Sequence, residues 1–408
     1  MNKIITYTLA LLFATLQTFA QTYEYDANNQ LTKVTYADGS TVTYTYDELG
    51  NRLSMKKTAG IDKGIIDFAD PMVRAICVSN WDEDGDGELS YDEAATVTII
   101  EEELFKSKDI KSFNELQYFS GLTDIDNLAF LGCSELKSIQ FPQSLNSIGY
   151  AAFEYCSSLK SIVIPRSVTY IGGSVLANCT ELSTIVVEEG NTKYDSRSNC
   201  NAIIRKSDNS MIAGCMNTVI PNTVKSISSN TFQGMSSLSS ISIPNSVTKI
   251  GSMAFFNCTG LTTITIPSSV SAIDNYAFNG CTNLESVYSE IHNPFTINEN
   301  VFQIWDVDTH SSVFSKATLY VPAGTRDAYL ATPAWDKFLN IVEMEATSQG
   351  DVNNDGTTSI ADVTALVNII LGKNLPANQG MADINGDGSV SIADVTALVN
   401  IILGKTGQ

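Results

Sequence analysis

The chain has 408 residues, with 45 acidic against 24 basic side chains and a formal net charge of −21. A surplus of that sign repels a polyanionic partner, so nucleic-acid binding is excluded as the main function. The length leaves room for several modules, each with a core of its own.

Lys3 precedes the apolar run ITYTLALLFATL, which is too short to span a bilayer. Thr18, Phe19 and Ala20 then place small residues around a cleavage point before Gln21. Residues 1–20 therefore read as an export signal, and with no cysteine after the run a lipid anchor is not expected. No later stretch is long and apolar enough for a membrane span. The expected location is extracellular, soluble or held at the cell surface through a partner.

Residues 21–58 alternate Thr, Val and Tyr between Asp-Gly and Leu-Gly-Asn turns, the pattern of a hairpin or meander. Tyr23, Tyr25 and Asp26 recur as Tyr44, Tyr46 and Asp47, which resembles a YD, or Rhs, repeat. Two copies are too few for the large enclosure built by long arrays, so a small β adaptor is expected.

The stretch from Asp62 to Glu103 holds thirteen acidic and two basic residues, a local charge of −11 out of the total −21. Within it, Asp82, Asp84, Asp86, Glu88, Ser90 and Glu93 fall at positions 1, 3, 5, 7, 9 and 12 of a twelve-residue loop, with Gly87 at position 6. That spacing lets one short loop surround a hard cation with oxygen atoms. With the apolar segment DFADPMVRAICVSNW before it, the loop resembles a single EF-hand. The expectation is a cap over residues 62–119, stapled by structural calcium and leading into the repeats.

Residues 120–345 repeat with a period of twenty-three, as SSLKSIVIPRSVTYIGGSVLANC (Ser157–Cys179), SSLSSISIPNSVTKIGSMAFFNC (Ser236–Cys258) and TGLTTITIPSSVSAIDNYAFNGC (Thr259–Cys281) show. A fixed period of this length means stacked units, each too small to bury its apolar face alone. Leu261, Ile264, Ile266, Val270, Ile273 and Phe278 form the inward set of one unit: a short strand, a turn at Pro267, then a return segment. The pattern resembles the BspA-like leucine-rich repeats of bacterial surface proteins. Thr180–Met235 is a swollen unit with a hairpin-like insertion at Tyr194–Cys215, and Leu319–Phe338 reads as a terminal cap closed by Trp335 and Phe338. Cys133, Cys156, Cys179, Cys258 and Cys281 share the closing position of the repeat, where Met235 also stands. They form either an apolar core column or disulfides, and Cys200 with Cys215 is a second possible pair. The outward strand positions Gln140, Val163, Val186, Ser242 and Thr265 are small and uncharged and name no ligand. Tyr150, Tyr155, Phe256 and Tyr276 are candidate exposed aromatics, with packing the alternative use.

Residues 346–408 contain one loop-plus-helix unit twice. The first loop places Asp351, Asn353, Asp355, Thr357, Ser359 and Asp362 at positions 1, 3, 5, 7, 9 and 12, and the second Asp383, Asn385, Asp387, Ser389, Ser391 and Asp394. Gly356 and Gly388 sit at the sharp turn of position 6. SIADVTALVNIILGK follows identically from Ser359 and from Ser391, with Val363, Leu366, Val367, Ile370 and Leu371 at helical spacing. The pair resembles a type I dockerin, departing from the EF-hand in having Asp rather than Glu at position 12. The resemblance implies bound Ca2+ and docking to a cohesin-type protein. It also places partner contacts at loop positions 10 and 11: Ile360, Ala361, Ile392 and Ala393.

The expected fold class is thus multidomain: an N-terminal β piece, an EF-hand, a leucine-rich-repeat solenoid of short strands with irregular or short helical returns, and an all-α calcium-binding dockerin. His292 and His310 are the sole histidines and lack metal-ligand spacing, and no hydrolase or phosphate-loop motif is present. A non-catalytic surface binding or adhesion protein is therefore expected, its repeats taking a macromolecular ligand such as a host protein or a polysaccharide. The alternative is an accessory component of a polysaccharide-degrading complex, a company dockerins commonly keep.

Overall fold

The computed structural model describes residues 22–28, 30–35, 41–47, 52–58, 64–303, 312–344, 350–353, 358–372 and 382–405. The export segment 1–20, the loop residues Asp355, Gly356 and Thr357, and His310 lie outside the described residues. The chain divides into two units, residues 1–67 with 75–96, and residues 68–74 with 97–408.

In the first unit, alternating Thr, Val and Tyr form an antiparallel meander of four strands: Thr22–Tyr25, Leu31–Thr35, Thr41–Tyr46 and Arg52–Thr58. Val34 lies opposite Val42, and both are buried. The Tyr46 hydroxyl donates to the Leu31 carbonyl at 2.8 Å, tying the two central strands together. The same unit holds the 82–93 loop and the helix Tyr91–Thr96. Ile66 N–H donates to the Leu89 carbonyl at 2.8 Å, and Ile65 bridges Ser90, so the loop gains the strand partner that a second EF-hand normally supplies.

The second unit is dominated by the solenoid, whose coils carry two parallel ladders instead of one. One ladder contains Ser161–Ile164, Thr184–Val187, Thr263–Ile266, Ser286–Ser289, Thr318–Val321 and Asn340–Glu343, the I-x-I strands read from the repeat. The other is built from two-residue strands in the return segment: Ile99–Ile100, Asp124–Ile125, Ser147–Ile148 and Tyr170–Ile171, then Ser226–Ile227, Lys249–Ile250 and Ala272–Ile273 beyond the insertion. Ladder pairing thus reaches back to Ile99, within the segment expected to form the cap. There Asp70 accepts from Lys111 N–H at 2.5 Å and Glu115 from Ala69 N–H at 3.2 Å, seating residues 68–74 on the first coils.

The third side of each coil is turns around stacked rings. Phe105, Phe130 and Phe153 form one column, and Phe232, Phe255, Phe278 and Phe302 another, with centroids 5.0–5.3 Å apart and near-parallel planes. That spacing is close to the ~4.8 Å rise between paired strands, so the ladders set the ring separation. Leu176 takes the ring position in the coil between the columns.

The repeat cysteines are buried free thiols, so the core-column alternative is the one realised. Each thiol donates to the carbonyl of a phenylalanine one coil back: Cys133 to Phe105, Cys156 to Phe130, Cys179 to Phe153, Cys258 to Phe232 and Cys281 to Phe255, at 2.9–3.3 Å. Burial pushes the thiols of Cys133, Cys179 and Cys281 up to about 12, which keeps them protonated donors. Cys200 and Cys215 are likewise free, the latter donating to the Asn201 carbonyl at 3.4 Å.

The insertion is a three-strand antiparallel array, Tyr194–Asp195, Ala202–Arg205 and Ser210–Gly214. Its last strand pairs in parallel with Ser226–Ile227 and so serves as a rung of the second ladder. Buried Asn191 anchors its entry, donating to the Pro165 and Val168 carbonyls and accepting from Lys193 and Tyr194 N–H. At the far end Trp335 is fully buried against Phe302, its indole N–H donating to the Phe295 carbonyl at 2.9 Å, and Phe338 packs edge-on to Phe302.

Candidate calcium-binding and docking site

The 82–93 and 383–394 loops share one hydrogen-bond skeleton. At position 1, Asp82 accepts from Gly85 and Gly87 N–H, and Asp383 from Gly386 and Gly388 N–H, all at 2.8–2.9 Å. At position 3, Asp84 accepts from Asp86 N–H and Asn385 from Asp387 N–H. At position 5, Asp86 accepts from Glu88 N–H and Asp387 from Ser389 N–H. These bonds wind the chain around a centre and turn its oxygens inward. Gly87 and Gly388 supply the turn at φ +83° and +86°, a region that side chains disfavour.

Position 12 closes each loop. Glu93 accepts from Glu83 and Ser90 N–H, Asp362 from Asn353 and Ser359 N–H, and Asp394 from Asn385 and Ser391 N–H. In the two C-terminal loops this residue is also the third of a helix whose N-cap is Ser359 or Ser391, so loop closure and helix capping use one carboxylate. Glu93 does the same beside Ser90, donating its N–H to the Ser90 hydroxyl and accepting the Ser90 N–H. Spacing alone places Asp362 and Asp394 at position 12 but does not reveal the cap; the signal that could have found it is the S-x-x-D of a capping box.

Carboxylate oxygens of Asp82, Asp84 and Asp86 lie within 4.8 Å of one another. Like charges at that separation repel, and an oxygen-only donor set on a tight loop is what a hard divalent cation takes. The residues present therefore fit Ca2+. Asp82, Asp84, Asp86, the Glu88 carbonyl, Ser90 and Glu93 would hold it in the first loop, and Asp383, Asn385, Asp387, the Ser389 carbonyl, Ser391 and Asp394 in the last. Burial raises the Glu93 carboxyl, but hydrogen bonds from Ser90, Glu83 and Asp84 outweigh this and hold it below its ordinary value. Asp387 is held low by hydrogen bonds from Ser389 and Asn385. Of the 351–362 loop, Asp351, Asn353, Ser359 and Asp362 are described, and Asp351 and Asp362 are buried.

The helices Ile360–Ile370 and Ile392–Ile402 pack on each other through Leu366 and Leu398, with Ala382 and Ile384 completing the buried cluster. Of the apolar residues at helical spacing in the first helix only Leu366 is fully buried; Ile370 and Leu371 are exposed, as is Leu403 in the second. Ile360 and Ile392 are 73% and 71% exposed, and Ala361 and Ala393 beside them are exposed too. Two first-turn pairs of the same composition thus face solvent, each at positions 10 and 11 of its loop.

On the repeats, Gln140, Val163, Val186 and Ser242 are exposed and Thr265 is half-buried, giving an uncharged outer strip. Tyr150 and Tyr155 are more than half exposed, whereas Phe256 and Tyr276 are half-buried. Among the described residues no helix is long and apolar enough to cross a membrane.

Comparison with known proteins matches three family models along the chain. The model of the BspA type Leucine rich repeat region matches residues 94–207 and 211–315 in six copies. The RHS Repeat matches residues 25–61, and the Dockerin type I domain residues 349–403. Type I dockerins bind calcium and dock to cohesins, and both this module and the repeats are non-catalytic binding classes. A search of curated proteins finds no match. Among solved structures, a leucine-rich repeat protein from Eubacterium ventriosum is 19% identical, covering 74% of this chain and 82% of that one, with a TM-score of 0.43. A leucine rich cell surface protein from Faecalibacterium prausnitzii is 20% identical over 59% of this chain and 71% of that one, with a TM-score of 0.33. The pneumococcal vaccine antigen PcpA is 18% identical over 56% and 78%, also at 0.33. With six repeat copies over more than half its length, the chain belongs to the BspA-type leucine-rich repeat family.

Proposed function

We propose that this is an exported, non-catalytic surface-binding protein that docks through its C-terminal module to a cohesin-type partner while its repeats contact a macromolecular ligand. The observation that carries the docking reading is the pair of loop–helix units, each with an exposed Ile-Ala pair opening its helix. The coupling is local. Cation at positions 1, 3, 5 and 12 draws Asp362 and Asp394 inward. Those carboxylates hold Ser359 and Ser391, the N-caps that set the direction of Ile360 and Ile392. Calcium therefore fixes the orientation of the apolar first turns, and its removal leaves repelling carboxylates at the base of each helix.

The repeats offer a different surface. The outer strip is flat, small and uncharged, which suits contact over several coils rather than capture of a small charged ligand in a pocket. Calcium in the 82–93 loop has a structural role in this reading, joining the loop to the Ile65–Ile66 segment that pairs with it.

The test is capture of the full chain on an immobilised cohesin-type domain in calcium and in chelator. Retention in calcium and release by chelator is the expected result. Equal retention in both buffers, or none in either while the protein binds calcium by calorimetry, overturns the docking assignment.

A further inference from the structure

The two C-terminal loops differ where their chemistry is most exposed. In the first, Asn353 is followed by Asn354; in the second, Asn385 is followed by Gly386. An Asn-Gly step is the arrangement in which a backbone amide most easily reaches the preceding side-chain carbonyl, because the second residue has no Cβ to obstruct the approach. Asn385 is exposed, and a Cβ built on Gly386 would meet nothing within 4 Å. The sequence has one other Asn-Gly step, Asn279–Gly280, and it is held differently. Asn279 is fully buried, its side-chain amide donates to the Asn300 carbonyl, and Gly280 N–H is tied to the Gln303 carbonyl inside the coil stack.

In the folded loop the Asn385 reaction is blocked by hydrogen bonds. Gly386 N–H donates to Asp383 at 2.9 Å, the Asn385 amide donates to Asp387 at 2.9 Å, and its oxygen accepts from Asp387 N–H at 2.8 Å. All of these hold only while the loop is wound. Asp383, Asp387 and Asp394 are acids on the same small loop, so without a cation their repulsion favours opening, which frees the Gly386 nitrogen and the Asn385 side chain together.

We propose that Asn385 is a deamidation site whose rate is set by calcium occupancy of the 383–394 loop. The Gly386 nitrogen attacks Cγ of Asn385 and forms a cyclic succinimide. The Cγ–Nδ2 bond breaks, and the nitrogen leaves as ammonia with the amide proton. Water then opens the ring at either carbonyl, giving aspartate or isoaspartate. Aspartate at position 3 is the residue the 82–93 loop already has in Asp84, so that product remains a calcium loop with one more charge. Isoaspartate lengthens the backbone and breaks the register between Asp383 and Asp387. Either way the second docking unit changes covalently while the first does not, and two equivalent units become distinguishable with time spent calcium-free.

The inference rests on calcium binding by this loop. The test therefore pairs calorimetry with mass mapping of the intact full chain, incubated in neutral buffer with calcium or with chelator. Expected is an amide-to-acid mass change at Asn385 that accumulates several-fold faster in chelator, with isoaspartate detectable by enzymatic methylation. Asn353 and Asn279 should change little in either buffer. If calorimetry shows calcium bound yet Asn385 deamidates at the same rate in both buffers, or no faster than Asn353, the proposal is overturned. Equal rates with no calcium bound also overturn it, and in that case the calcium assignment falls as well.

Discussion

At the scale of single residues, backbone conformation and hydrogen-bond supply explain choices that composition leaves open. The residue before each closing cysteine or Met235 has positive φ: Gly132, Tyr155, Asn178, Gly234, Asn257 and Gly280. Gly234 and Gly280 are the most constrained, since a Cβ at either would lie 1.9 Å from Oδ1 of the Asn one coil back, Asn178 or Asn257. Gly280→Ala should therefore destabilise the chain by about 1–3 kcal/mol, read as a lower thermal midpoint. The cysteines also follow from supply, because each donates a thiol proton to a Phe carbonyl. Native protein should react with a thiol reagent only on unfolding, and mass spectrometry should find no disulfide. Glu93 gives a pH dependence. Its carboxyl is held below the ordinary 4.5, so its contribution is complete above that value and lost as pH falls through the lowered one. Glu93→Gln should be less stable than wild type at neutral pH, with the difference vanishing in acid. An equal difference at every pH would contradict the assigned hydrogen bonds.

At the scale of elements, the twenty-three-residue period and the I-x-I-P strand were legible because alternation and proline punctuation are local. The second ladder was not. Ser147–Ile148 and Lys249–Ile250 are two-residue strands, too short for a periodicity of their own and visible only through pairing with neighbouring coils. The insertion at Tyr194–Cys215 was legible as a hairpin, but its last strand acts as a ladder rung, a tertiary fact. The stacked Phe columns likewise depend on coil rise. Phe255 is sandwiched between Phe232 and Phe278, so Phe255→Ala should cost about 3–5 kcal/mol in chemical denaturation. A loss below 1 kcal/mol would show that the column closes over the gap, contrary to a rise fixed by the ladders.

At the scale of the whole molecule, the acidic surplus is concentrated in loops built for a cation. In the 82–93 and 383–394 loops the residues spaced in sequence at positions 1, 3, 5 and 12 share one hydrogen-bond skeleton. Sequence spacing named those residues because a loop of twelve carries its geometry within itself. Helical spacing named Ile370 and Leu371 but not which apolar side chains the helix pair would bury, and Ile370, Leu371 and Leu403 stay outside. Those residues, with Ile360 and Ile392, give the C-terminal module an exposed apolar surface, the one proposed to dock. The most direct measurement is calorimetric binding of the full chain in calcium to a cohesin-type domain, wild type beside Ile360→Asp with Ile392→Asp. The account predicts a complex with wild type and loss of binding by the double variant, whose calcium uptake is unchanged. A double variant that binds as tightly as wild type would contradict it.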